Sequence, residues 1–84
     1  MYIEVPSYDK RGFKFIWEDD AAIRCTVNEN AVYIEANKGG LISLARHILE
    51  LAQDATPEGT HFHLDEFNSL EDDSSEIIFT KSEI

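Results

Sequence analysis

Apolar and polar residues alternate along most of this chain, and a helical period interrupts the alternation once. Ile3 and Val5 alternate with Tyr2 and Glu4 until Pro6, which has no N–H for a ladder, so a short edge strand is expected there. From Gly12 to Glu18 the residues Phe13, Phe15 and Trp17 share one side and Lys14, Ile16 and Glu18 the other, the pattern of a core strand with its aromatics inward. After the charged turn Glu18-Asp19-Asp20, Ile23, Cys25 and Val27 alternate with Arg24 and Thr26. Asn28-Glu29-Asn30 tolerates turn geometry and leads into Val32, Ile34 and Ala36 alternating with Tyr33 and Glu35, so these two runs read as an antiparallel hairpin. Beyond Pro57 and Gly59, Phe62 and Leu64 alternate with His61, His63 and Asp65, and Ile77-Ile78-Phe79 follows a polar stretch as a sixth strand.

Period two gives way to a helical period after Ala36. Asn37 is a suitable N-cap because its side-chain oxygen can accept from a free N–H of the first turn. At about 100° per residue, the apolar residues from Leu41 to Ala55 fill one half of the wheel, including Leu44, Ile48, Leu49 and Leu51. Ser43, Arg46, His47, Glu50, Gln53 and Asp54 fill the other, and are expected to face solvent. Gly39 and Gly40 in the first turn suit a close approach of the backbone to the sheet or to a ligand. The expected fold is α+β: one domain spanning residues 1–84, an antiparallel sheet of about six strands in the order ββββαββ, and one amphipathic helix packed on one face.

Charge narrows the function classes. Lys and Arg total 7 against 17 Asp and Glu, a formal net charge of -10, and after Pro57 the only base is Lys81. Such a chain repels a phosphate backbone, which argues against nucleic acid, and attracts a basic protein. No stretch of about 18 apolar residues is present to span a bilayer, and the start Met-Tyr-Ile-Glu lacks the basic and apolar regions of a secretory signal, so no membrane association and a cytoplasmic location are expected. Cys25 is the single cysteine and reads as a small buried hydrophobe rather than a reactive thiol.

The sharpest cluster is His61, His63 and Asp65 at i, i+2 and i+4, which a strand would point to one side. Two imidazoles and a carboxylate could ligate a metal or form an acid-base pair, although no further ligand, nucleophile or pocket is located, and a polar outer face explains the same pattern. Glu71-Asp72-Asp73 forms an acidic loop without the spacing of a calcium-binding loop. Tyr33 and Glu35 join the histidines on the sheet face away from the helix, a mixture of residue types found on protein-binding surfaces.

Asn37-Lys38-Gly39-Gly40-Leu41, then Ser43-Leu44-Ala45 with His47, and the strand His61-Phe62-His63-Leu64-Asp65-Glu66 together resemble the immunity protein 32 family, small bacterial proteins associated with polymorphic toxin systems. The likeness covers roughly residues 34–80. It implies an intracellular antidote that binds and blocks a toxin domain, with no catalysis and no cofactor. The resemblance carries over no binding residues; the open sheet face and the acidic stretch after Pro57 give the expected contact residues as Tyr33, Glu35, His61, His63, Asp65, Glu66, Glu71, Asp72 and Asp73. A metal-binding module centred on His61, His63 and Asp65, and a homodimeric structural or regulatory domain, stay open as alternatives.

Overall fold

The computed structural model describes residues 1–84. The expected hairpin forms β1 (Ile23–Asn28) and β2 (Ala31–Ala36), antiparallel, with Cys25 opposite Ile34 and Arg24 opposite Glu35. Glu29 makes the turn with a φ of 55°, in the left-handed region. Ile23 and Cys25 point into the core and are almost wholly buried, as alternation required.

Helix α1 (Lys38–Leu51) starts where its cap residue predicts and ends one turn earlier than the apolar pattern. Asn37 does more than cap: its Oδ1 accepts from Gly40 N at 2.8 Å and Ala22 N at 3.0 Å, while its Nδ2 donates to Asp20 O at 2.7 Å. It thus ties the helix start to the chain entering β1. Gly40 serves the same junction, since a Cβ there would lie 2.6 Å from Ala22 O and 2.9 Å from Ile23 Cγ1. The expected close approach of backbone is real, and its partner is the hairpin.

The last two strands, β3 (His61–Leu64) and β4 (Ile77–Thr80), pair antiparallel, with Phe62 opposite Phe79 and His63 opposite Ile78. Phe62 and Leu64 are buried while His61 and His63 are exposed. The two ladders do not merge. β1 offers its free edge instead to the loop between β3 and β4: Glu71 N donates to Ile23 O and Ser75 N to Cys25 O, both at 2.8 Å, and Cys25 N donates to Ser74 Oγ at 3.2 Å. Ile23, Cys25, Leu44, Leu51, Phe62, Leu64 and Leu70 form the core between these pieces.

The class is therefore α+β, but the six-stranded sheet is not formed: four strands lie in two separate two-stranded sheets. The reason lies in the first 22 residues, which contain no strand. The segment 13–18 runs along α1, and its alternate N–H groups are taken by helix side chains. Lys14 N donates to Glu50 Oε2 at 2.9 Å, Ile16 N to His47 Nε2 at 3.2 Å and Glu18 N to Ser43 Oγ at 2.9 Å. Three acceptors spaced i, i+4 and i+7 on one helix face replace the neighbouring strand. Arg46 and Gln53 hold the earlier residues in the same way: Arg46 Nε donates to Glu4 O at 3.2 Å, Gln53 Nε2 donates to Pro6 O at 2.6 Å, and Gln53 Oε1 accepts from Tyr8 N at 2.8 Å.

That clasp also corrects the facing of the helix. Ser43, His47 and Glu50, expected in solvent, are buried, whereas Leu41 is 55% exposed and Leu49 48%. Glu50 Oε2, His47 Nε2 and Ser43 Oγ each satisfy a backbone donor that would otherwise cost about 1–3 kcal/mol to leave unpaired, which is how a polar helix face can be the inner one although His47 Nδ1 and Glu50 Oε1 are buried without a partner. Lys81 adds the closing contact at the other end of α1, its Nζ donating to Gln53 O at 2.6 Å and Thr56 O at 2.7 Å.

Candidate functional site

The three residues of the sharpest sequence cluster do not converge. His61 and His63 do share the outer face of β3, their ring centroids 5.2 Å apart. His61 Nδ1 lies 3.0 Å from Gly59 O, and His63 Nδ1 lies 3.0 Å from Glu76 Oε2. Asp65, beyond the end of the strand, turns its carboxylate to the backbone, accepting from Phe67 N at 2.9 Å and Asn68 N at 3.1 Å. An aspartate followed by free N–H groups favours this local turn over a partner across the strand. No group of three or more His, Cys, Asp or Glu side chains is placed to hold a metal ion. Glu76 is the carboxylate that meets His63, and strand alternation did not reveal it because it comes from the next segment, just before β4.

The acidic residues beyond β3 gather on one structured loop. Asn68 fastens its start, accepting from Asp65 N at 2.9 Å and donating to His63 O at 3.1 Å. Leu70 anchors it in the core, and Glu66 Oε2 accepts from Asp73 N at 3.0 Å across it. Asp73 carries a φ of 67°, so the acidic tip bends through the left-handed region. Glu66, Glu71, Asp72 and Asp73 are all exposed, and the loop's backbone is held to β1 at Glu71 and Ser75.

Tyr33 and Glu35 stand exposed on the outer face of the hairpin, and here the structure does unite two expected positions. Glu35 and Glu71 line one open groove of about 350 Å³ together with Arg24 and Asn37. The nine expected contact residues thus fall on the hairpin's outer face, the acidic loop and the outer face of β3, linked through the loop.

A different chemistry is buried. The imidazole of His47 sits among Phe13, Phe15, Trp17 and Phe62, with the Trp17 ring centroid 4.4 Å away. Burial lowers its pKa below the ordinary 6.5; Ile16 O, 3.2 Å from Nε2 and able to accept from the protonated ring, opposes this, and the charge of Arg46 adds to it. Burial raises the pKa of Glu50, against the bond from Lys14 N and the charge of Lys14. Glu50 lines a cleft of about 210 Å³ with Tyr8, Asp9, Phe13 and Thr60, but its bound oxygen faces Lys14 N, and no nucleophile or second acid-base group pairs with it. Both residues act on the backbone of segment 13–18, a structural use that the polar half of a helical wheel does not distinguish from solvation.

No helix is long and apolar enough to cross a membrane. The family model described as Immunity protein 32 matches residues 31–82, from β2 through the end of β4, and leaves β1 and the clasped N-terminal segment outside the match. No curated protein and no solved structure matches the chain.

Proposed function

Because this chain belongs to the immunity protein 32 family, we propose that it is the antidote of a toxin, binding a cognate toxin domain in the cytoplasm and neutralising it by occlusion rather than by catalysis. The family match carries the reading. The net charge of -10 supports a cationic toxin surface, because opposite charge speeds encounter and fixes orientation. In this reading the contact runs over Tyr33 and Glu35, across the acidic loop of Asp65, Glu66, Glu71, Asp72 and Asp73, to His61 and His63, with residues 1–84 acting as one domain. A loop whose backbone is already bonded to β1 presents its carboxylates with little ordering cost on binding.

Co-expression is the test. The toxin domain encoded beside this chain, produced in a host cell, should arrest growth, and production of this protein should restore it with the two recovered as a complex. Growth arrest that persists despite folded, abundant protein refutes the proposal.

A further inference from the structure

The hairpin has two edges, and the chain closes only one of them. Along β1 the backbone groups of Ile23 and Cys25 point outward, where they bond to Glu71, Ser74 and Ser75 of the loop between β3 and β4. In an antiparallel pair, a residue turned outward on one strand lies opposite one turned outward on the other. Cys25 is paired with Ile34 and Val27 with Val32, so the N–H and C=O groups of Val32 and Ile34 lie along the outer edge of β2. No other strand, loop or side chain of the molecule bonds to them. Their side chains share the face that carries Ile23 and Cys25 into the core, yet Val27, Val32 and Ile34 are 59%, 63% and 42% exposed. Open edges are usually blunted by a proline, a bulge or several charges. Ala31–Ala36 has no proline, pairs without interruption and carries one charge, Glu35.

We propose that the β2 edge takes an extended segment of the cognate toxin as a third strand, with a basic side chain of that segment beside Glu35. The inference rests on the antidote role and names how the partner is held. Backbone donors and acceptors at strand spacing are matched by another extended backbone, which supplies affinity while alternate side chains supply specificity. Apolar side chains at every second position of the segment would cover Val32 and Ile34. On the other face Glu35 makes no ion pair within the chain and shares a groove with Glu71, so a Lys or Arg of the incoming strand meets two carboxylates there. A second copy would bring another net charge of -10 to the same edge, whereas a basic segment is drawn to it.

Amide hydrogen exchange, residue by residue, in the free protein and in its complex with the toxin domain encoded beside this chain tests it. Free, Val32 and Ile34 should exchange faster than Tyr33 and Glu35, whose N–H groups face β1. In the complex, Val32 and Ile34 should slow by at least about a hundredfold. Val32→Pro removes an edge donor that the hairpin does not use, and should weaken the complex by at least about tenfold with an unchanged circular dichroism spectrum. Glu35→Lys should weaken it by about tenfold. The exchange of the wild type decides the matter even if Val32→Pro fails to fold. A complex that restores growth while Val32 and Ile34 still exchange fast, or that is indifferent to both substitutions, overturns strand addition alone; absence of any complex removes the antidote role with it. Slow exchange at Val32 and Ile34 in the free protein that strengthens with concentration gives the edge to a second copy, and overturns the proposal too.

Discussion

Replacing His47 with alanine should destabilise this protein more than replacing Leu49 on the same helix. The side chain is 0% exposed and packed among aromatic rings, so truncation leaves a cavity worth about 2–4 kcal/mol. It also orphans Ile16 N, adding about 1 kcal/mol, while Ile16 O keeps its bond from Arg46 Nη1 at 3.1 Å. The total of about 3–5 kcal/mol is a large part of the roughly 4–12 kcal/mol expected of a chain this size. Leu49, 48% exposed, should cost about 1 kcal/mol or less on truncation. Urea denaturation followed by far-ultraviolet circular dichroism, at concentrations too low for self-association, compares the two. If His47→Ala costs no more than Leu49→Ala, the helix does not face the core with its polar side and the clasp is wrong.

The pH dependence of stability supplies a second check. Because burial holds the folded pKa of His47 below 6.5, protons bind the unfolded chain preferentially; the stabilisation is full above 6.5 and is lost as pH falls from there through the lower folded pKa. The raised pKa of Glu50 acts oppositely, favouring the folded state while its carboxyl is protonated and withdrawing that help as pH rises above the ordinary 4.5. Subtracting His47→Gln from wild type between about pH 8 and pH 5 isolates the histidine, and a variant with an unchanged slope would contradict its buried, neutral state. Gly40→Ala should destabilise by about 1–3 kcal/mol in thermal melts although alanine is the better helix former, because its Cβ would meet Ala22 O; a neutral or stabilising result would deny the close approach. Lys81→Met should lower stability by about 1–2 kcal/mol and speed amide exchange at the end of α1, whereas an unchanged exchange pattern would leave the lysine without a capping role.

Local signals in the chain were sufficient for the elements that close on themselves. The hairpin, with Cys25 buried and turning at Asn28-Glu29-Asn30, follows from alternation and turn chemistry; the start of α1 follows from Asn37. The facing of α1 did not follow, because a wheel tells which half is apolar and not which half another segment needs. Ser43, His47 and Glu50 look like a solvated face until segment 13–18 lies against them, and that segment looks like a strand because its aromatics alternate. Hydrogen-bond partners distant in sequence decide both. At the candidate site, the exposure of His61 and His63 was legible from alternation, whereas in β2 Val32 and Ile34 are exposed along with Tyr33 and Glu35, and Asp65 was not legible, since its turn beyond β3 diverts the carboxylate from the histidines.

Titration of the purified toxin domain with this protein at two ionic strengths bears most directly on the antidote role. Tight binding at low salt is expected to weaken as salt rises. Neutralising Glu66, Glu71, Asp72 and Asp73 to amides should remove most of that salt dependence and slow association, leaving the fold intact. Absence of binding, or binding with a salt dependence that the neutralised protein reproduces in full, would contradict the account.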